Sequence, residues 1–219
     1  MDTLTKAIEH YQLPPLAPDR VSELEKYCRQ LWSWNRRMNL TRHTDYDKFV
    51  ARDLVDTIQL SALIPPQQEV LDVGTGGGVP GIVLAILRPD LEVVLTESIA
   101  KKASAVDQIV GQLKLPIAVH HCRAEELLED LRFDLLVARA VGPLRKICRW
   151  LEPSWHQFRC LLAIKGPRWV DERGEARELG LLEKVQLRRV VSYPMPGTES
   201  ESVILKLWSG DRDEPFTDE

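Results

Sequence analysis

Residues 70–81 read Val-Leu-Asp-Val-Gly-Thr-Gly-Gly-Gly-Val-Pro-Gly, and this stretch decides the fold. It is a short apolar run that contains one acid, Asp72, and breaks into glycines from Gly74 onward. A buried strand needs a continuous apolar run, whereas a backbone that approaches a ligand closely needs residues without a Cβ atom. Pro80 suits the first turn of a following helix. The stretch therefore predicts a strand, a ligand-binding turn and a helix.

Strand-like and helical segments alternate around and after this turn. Strands are predicted at 69–73, 91–96, 117–121, 133–138 and 158–164, and helices at 81–88, 100–113, 124–131 and 142–151. Such alternation predicts an α/β fold with a Rossmann-like, doubly wound, mostly parallel sheet. A charged helix at 170–184 is followed by two strand-like runs, 186–193 and 202–208, which predict a C-terminal antiparallel hairpin.

The chain has 219 residues, of which 44% are hydrophobic, enough for one full core and an extension. Helical periodicity over residues 3–39 and 47–63 predicts helices before the glycine-rich unit. We predict three parts. They are a helical N-terminal extension packed on the core (1–65), a cofactor-binding α/β domain (66–209) and an acidic disordered tail (210–219).

Composition excludes several classes of protein. No run is long enough to cross a bilayer and the N-terminus lacks the layout of a secretory signal, so we predict a cytoplasmic protein. The four cysteines are spread without paired spacing, which argues against a zinc site and a disulfide framework. We predict no metal. The net charge of −4 leaves nucleic-acid binding to local basic clusters.

Two cofactors fit a glycine turn of this kind. Residues 76–81 match the Gly-x-Gly-x-x-Gly pattern of dinucleotide sites, with Glu97 about twenty residues further on. Asp72 favours S-adenosylmethionine, because a strand-end carboxylate can meet its cationic ammonium but would repel a pyrophosphate. Glu97 is placed to accept hydrogen bonds from two ribose hydroxyls. We predict S-adenosylmethionine, held by Asp72, Glu97 and the turn glycines Gly74, Gly76 and Gly78.

The segment after the fourth strand limits the chemistry. Residues 138–143 read Ala-Arg-Ala-Val-Gly-Pro, without the Asn or Asp, paired prolines and aromatic residue of amino-methylating enzymes and without a cysteine nucleophile. No residue of this segment is an obvious general acid or base. We therefore name no catalytic residue. Arg139 is predicted to brace this loop or the cofactor carboxylate, with an ion pair to Asp72 or Glu97 as the alternative.

Five short motifs give the chain a family resemblance. They occupy residues 39–41, 71–81, 123–125, 138–144 and 165–166. In this order they resemble the bacterial RsmG family, also called glucose-inhibited division protein B, which methylates guanine N7 in small-subunit (16S) ribosomal RNA. The resemblance covers about residues 20 to 208. It implies that S-adenosylmethionine is contacted by Gly74, Val79, Ala124, Glu125 and Arg139.

Two positions depart from the pattern of that family. Asp53 follows Arg52 where the family usually has a histidine, and Glu201-Ser202 stands where an arginine commonly precedes the last strand. These departures concern contacts with RNA or the exact target. They leave the cofactor assignment unchanged.

Local basic clusters are the predicted contacts with RNA. Several lie on loops that leave the carboxyl ends of strands, where they would form a phosphate-binding rim. The candidates are Arg36, Arg37, Arg42, Lys101, Arg145, Lys165 and Arg168. The predicted partner is 16S ribosomal RNA or the small ribosomal subunit, bound by a monomer. A small-molecule methyltransferase and a non-enzymatic nucleotide-sensing module remain the alternatives.

Overall fold

A seven-stranded sheet forms the centre of the computed structural model, which describes residues 3–216. The strand order is β3-β2-β1-β4-β5-β7-β6. Neighbouring strands are parallel except β7, which pairs antiparallel with both β5 and β6. The strands are β1 (Glu69–Asp72), β2 (Glu92–Thr96), β3 (Ala118–His120), β4 (Leu135–Arg139), β5 (Cys160–Lys165), β6 (Val185–Pro194) and β7 (Glu201–Ser209). The predicted parallel sheet with a C-terminal hairpin is confirmed.

Helices cover both faces of the sheet. They are α1 (Leu4–His10), α2 (Pro18–Asn35), α3 (Tyr46–Lys48), α4 (Val55–Ser61), α5 (Gly81–Leu87), α6 (Ala100–Leu113), α7 (Ala124–Asp130), α8 (Leu144–Leu151) and α9 (Trp169–Glu178). One apolar cluster joins the sheet to α1, α2 and α4–α6, and a second joins it to α7–α9. Apolar side chains on both faces of the strands explain their nearly continuous hydrophobic sequence.

The N-terminal helices form one layer against the sheet. Pro18 begins α2, where its missing amide hydrogen costs nothing. Between α3 and α4 the chain forms a π-helical segment, Phe49–Leu54, which sequence periodicity did not predict. Seven of the eight residues 50–57 are buried there, including Asp53 and Asp56. The extra residue in the helical turn therefore coincides with buried polar groups.

The C-terminal elements differ in part from prediction. Helix α9 ends at Glu178, earlier than the predicted 184, and Gly180 follows in the left-handed conformation (φ +72°) that commonly stops helices. The described tail, residues 210–216, is tied to the fold. Arg212 donates to the carbonyl of Phe158, and Glu214 pairs with Arg188 and Lys206. This corrects the predicted disorder for 210–216, while 217–219 lie outside the described residues.

Two further features concern residues 3–216. No helix in this range combines the length and apolar character required to cross a bilayer. No His, Cys, Asp and Glu side chains are grouped there in a way that could hold a metal ion. The four cysteines are free thiols, and three of them are buried.

Candidate active site

A cleft of about 670 Å³ lies at the carboxyl ends of the central strands. Parallel α/β sheets bind ligands at this edge because the loops that leave the strands meet there. Its walls come from four parts of the chain. They are Leu31, residues 40–43 and Asp53 of the N-terminal layer, residues 73–77 and 79 of the glycine turn, residues 96–98, 102 and 122–125 at and after the ends of β2 and β3, and residues 139–141 with Trp150.

The glycine turn forms the floor of the cleft. Gly74 and Gly76 have φ of +65° and +61°, a backbone conformation that residues other than glycine rarely adopt. The Thr75 amide donates to the Thr96 carbonyl at 2.9 Å and fixes the turn to β2. A Cβ atom on Gly76 would meet only the Gly74 carbonyl oxygen, at 4.0 Å, and would otherwise project into free space. The turn is thus a rigid cradle that fits a ligand.

The N-terminal layer holds this turn from behind. The Tyr27 hydroxyl, which is buried, donates to the Gly77 carbonyl at 2.8 Å. A Cβ atom on Gly77 would lie 3.0 Å from the Leu31 side chain and 3.2 Å from the Leu40 carbonyl oxygen. Only glycine allows α2 and the loop after it to pack this closely on the turn.

Asp72 lies beneath the turn and does not line the cleft. It is fully buried, and its Oδ2 accepts from the Gly81 amide at 2.9 Å at the start of α5. Burial raises the pKa of Asp72 to about 6. The predicted contact with a ligand ammonium is therefore corrected, since the side chain is used to join β1 to α5.

Glu97 is placed as predicted, at the end of β2 in the wall of the cleft. Its Oε2 accepts from the Gly76 amide at 3.1 Å and its Oε1 from the Ile99 amide at 2.8 Å. Each oxygen retains a second lone pair. The carboxylate is therefore fixed in orientation and still able to accept hydrogen bonds from ribose hydroxyls.

Arg139 faces the N-terminal layer, not the acids named as alternatives. Its Nη1 donates to Asp53 Oδ1 at 2.6 Å and its Nε to Asp56 Oδ2 at 2.7 Å. Burial alone would lower the pKa of Arg139, but the two carboxylates raise it above its usual value. The alternative ion pairs with Asp72 or Glu97 are thus corrected to pairs with Asp53 and Asp56. Because Arg139 also lines the cleft, its support of a cofactor carboxylate stays a prediction.

Other predicted cofactor residues divide into two groups. Val79, Ala124 and Glu125 line the cleft. Gly78 does not line it, and has a packing role, because its φ is +101° and a Cβ atom there would lie 2.6 Å from the Ile82 side chain. Sequence reasoning missed Trp150, an aromatic residue of α8 that reaches the cleft wall. Its position in a helical segment gives no sign that its side chain reaches the cleft.

The predicted RNA contacts lie in three places. Arg42 lines the main cleft, and Arg36, Arg37 and Lys101 are exposed outside it. Arg37 stacks over the Trp34 ring at 5.4 Å, which occupies one face of that ring. Lys101 lies in the first turn of α6 beside Lys102, and it is Lys102 that lines the cleft. Two arginines and Trp34 therefore share the C-terminal end of α2.

A second cleft, of about 640 Å³, holds the remaining basic candidates and shares Arg139 and Ala140 with the first. Arg145 there pairs with Glu175 at 3.0 Å. Lys165 is buried and donates to Glu172 at 2.6 Å and to the Gly142 carbonyl. Its predicted place on a phosphate-binding rim is corrected, because its ammonium is used to join β5 to the loop after β4 through Gly142 and to α9 through Glu172. Arg168 lines this cleft as well.

Comparison with known proteins assigns the family. The family model described as GidB, rRNA small subunit methyltransferase G, matches residues 20–200. The chain belongs to this family. A relative from Rhodopirellula baltica, named ribosomal RNA small subunit methyltransferase G, is 53% identical over 89% of this chain and 84% of its own. One of the same name from Leptothrix cholodnii is 31% identical over 85% and 86%.

Solved structures agree on the fold. An O-methyltransferase from Bacillus cereus in complex with SAH aligns with a TM-score of 0.60 at 14% identity, over 95% of this chain and 98% of its own. A putative O-methyltransferase from Klebsiella pneumoniae gives a TM-score of 0.57 at 16% identity, over 94% of both chains. The predicted Rossmann-like fold is confirmed. Family membership confirms an enzyme that methylates small-subunit ribosomal RNA, with S-adenosylmethionine as its cofactor.

Proposed function

We propose that this member of the family transfers a methyl group to N7 of a guanine in 16S ribosomal RNA, as a monomer in the cytoplasm. One observation carries the proposal. A single cleft has the glycine turn and Glu97 on one side and polar residues of the N-terminal layer, among them His43 and Asp53, on the other. The first side suits the nucleoside part of a cofactor. The second leaves room for an acceptor base.

The residues around the turn would hold the cofactor. Gly74 and Gly76 leave the backbone open to the cleft, and Glu97 offers acceptors for ribose hydroxyls. Ala124 and Glu125, at the start of α7, supply the wall beside them. When bound, S-adenosylmethionine supplies an electrophilic methyl group on a positively charged sulfur.

The side chains of the cleft need only position the acceptor base, without transferring a proton. Guanine N7 has an in-plane lone pair and no proton to remove, so the enzyme must orient the base and exclude water. Val141 and Trp150 give the cleft an apolar wall that excludes water. Thr41 and His43 offer hydrogen-bonding groups on the facing wall.

We also infer that two parts of the chain have different roles in the site. Residues 66–209 would form the methyltransferase domain, and residues 1–65 a layer that completes its cleft. Two contacts support this. Tyr27 holds the glycine turn through Gly77, and Asp53 pairs with Arg139 at the end of β4. Neither half of the proposed site is complete without the N-terminal helices.

Methyl transfer tests the proposal directly. The protein would be incubated with radiolabelled S-adenosylmethionine and small subunits, or their ribosomal RNA, from cells that lack the gene for this chain. Digestion to nucleosides should show the label in 7-methylguanosine. Label in another nucleoside would contradict the proposed atom. No label in RNA, with cofactor binding shown by calorimetry, would contradict RNA as the acceptor.

Salt dependence tests the predicted phosphate contacts. Release of counterions should make affinity for RNA fall steeply as salt rises. The variant Arg42→Ala should reduce the slope of log affinity against log salt by about 1. Arg177→Ala is the matched control, because Arg177 is exposed on α9 and lines neither cleft. Equal slopes for the two variants would remove Arg42 from the interface.

A further inference from the structure

The loop after β4, residues 140–143, lies between the two clefts. Ala140 lines both clefts, Val141 lines the main cleft and Gly142 lines the second. Ala140 has φ of +55°, a left-handed conformation that is unfavourable for a residue with a Cβ atom. Such a conformation persists only where the surrounding structure fixes it. Contacts from neighbouring elements must therefore hold this loop.

Lys165, at the end of β5, supplies these contacts together with Glu172 of α9. The Lys165 ammonium donates to the Gly142 carbonyl and to Glu172 Oε2. The same Glu172 oxygen accepts from the Leu144 amide at 2.9 Å, at the start of α8. The ion pair thus fixes the chain at two points, directly before and directly after Pro143.

The loop also packs on the glycine turn through Val141. A Cβ atom on Gly74 would lie 3.3 Å from a methyl group of Val141, so that a shift of the loop would change the main cleft beside the turn. A largely buried ion pair adds little net stability, because removing two charges from water offsets their attraction. The ion pair of Lys165 should therefore matter more for the position of the loop than for the free energy of unfolding.

We propose that Lys165 is a positioning residue for methyl transfer. Through Gly142 and Glu172 it holds the left-handed conformation at Ala140, and with it the wall of the main cleft against which the acceptor base lies. This role rests on the proposed function, because it requires a base that receives a methyl group in that cleft. A displaced wall misplaces the base, which slows transfer without weakening binding of the cofactor.

The variant Lys165→Met tests this role, with Lys206→Met as the matched control. Both lysine side chains are 8% exposed and pair with a glutamate, Glu172 or Glu214, but Lys206 lines neither cleft. With small-subunit ribosomal RNA as acceptor, we expect kcat to fall about 10- to 100-fold in Lys165→Met, as for a misplaced reacting group. Lys206→Met should keep the wild-type kcat even if it is less stable.

Two further measurements on Lys165→Met separate positioning from binding. Affinity for S-adenosylmethionine, measured by calorimetry, should stay within about 3-fold of the wild type, because the lost interaction acts on transfer. A fall in affinity as large as the fall in kcat would overturn the proposal. Equal kcat values for the two lysine variants would also overturn it, as would a higher KM for RNA with kcat unchanged.

The substitution Ala140→Gly shows whether the loop conformation carries the effect. Glycine adopts the left-handed conformation readily, so Ala140→Gly should raise the kcat of Lys165→Met at least about 3-fold. No recovery would overturn the proposal. If Lys165→Met fails to fold, Ala140→Val replaces it, because Ala140 is exposed and a β-branched residue disfavours this conformation. A wild-type kcat in Ala140→Val would overturn the proposal, whereas absence of RNA methylation by the wild-type protein would overturn the proposed function itself.

Discussion

The glycine turn and the Arg139 network lie at the same edge of the sheet but are built differently. In the turn, Asp72 contacts Gly81 nine residues away and Gly76 contacts Glu97 twenty-one residues away. Arg139 meets its partners across 83 and 86 residues. The polar contacts of Asp72 and Glu97 in the turn thus join residues within about twenty positions of each other, although Tyr27 also holds Gly77 across 50 residues, whereas the network depends wholly on packing of the N-terminal layer on β4.

Removal of one charged group should lower the free energy of unfolding more in the Arg139 network than in the glycine turn. Arg139→Ala leaves two buried carboxylates without their cation, and we expect a loss of about 3–5 kcal/mol in the free energy of unfolding at pH 7. Urea denaturation measures it. The loss should shrink as pH falls towards 4, because burial already raises the pKa of Asp56 and protonation removes its charge.

Arg145→Ala is the control for that experiment. Arg145 pairs with Glu175, but both side chains are largely exposed. Its removal should cost about 1 kcal/mol or less. Similar losses for the two arginine variants would mean that the Arg139 network contributes no more to stability than a surface ion pair.

In the glycine turn, ionisation of the buried Asp72 lowers the free energy of unfolding. Its pKa is raised by burial to about 6, so between pH 4 and 6 the folded protein binds more protons at this residue than the unfolded chain does. Stability contributed here is therefore lost as pH rises through this window. At about 1.4 kcal/mol per unit of pKa shift, the change is about 3 kcal/mol.

The variant Asp72→Asn isolates that contribution. Asparagine keeps an acceptor for the Gly81 amide and does not ionise. The free energy of unfolding of the variant minus that of the wild type should rise by about 3 kcal/mol from pH 4 to pH 7. A difference that is flat with pH would show that Asp72 does not titrate in this window.

Tyr193 tests how far the network reaches into the C-terminal hairpin. Its hydroxyl donates to Asp56 across 137 residues. Tyr193→Phe should lower the free energy of unfolding by about 2 kcal/mol, as for hydrogen bonds to charged groups. Tyr11→Phe, which removes a partly buried bond to Asp47, is the control and should cost about 1 kcal/mol or less. Equal effects would place Tyr193 outside the network.

A smaller effect on stability is expected at Gly76 of the turn. Gly76→Ala adds a methyl group in the left-handed region at a cost of about 1–2 kcal/mol and directs it into the cleft. Affinity for S-adenosylmethionine, measured by calorimetry, should fall at least about 10-fold. Gly111→Ala, in α6 with open space around it, should leave affinity unchanged. Unchanged affinity in both would mean that the cofactor does not contact Gly76.

Prediction from sequence succeeded where contacts are local. The strand, turn and helix of residues 69–87 and the position of Glu97 follow from apolar runs and glycines. It failed where a residue has several polar partners within reach. For Arg139 the alternative ion-pair partners Asp72 and Glu97 are wrong, because the sequence does not show which loop the N-terminal layer brings to the end of β4.

The sequence by itself determined the α/β fold, the glycine cradle and the family of this chain, because hydrophobic periodicity and glycine conformations act over a few residues. The tertiary structure decided the rest of the cleft. It placed Asp72 beneath the turn, Lys165 in an internal ion pair and Asp53 beside Arg139. Such contacts depend on the packing of helices onto both faces of the sheet, and burial of their charges selects the partners.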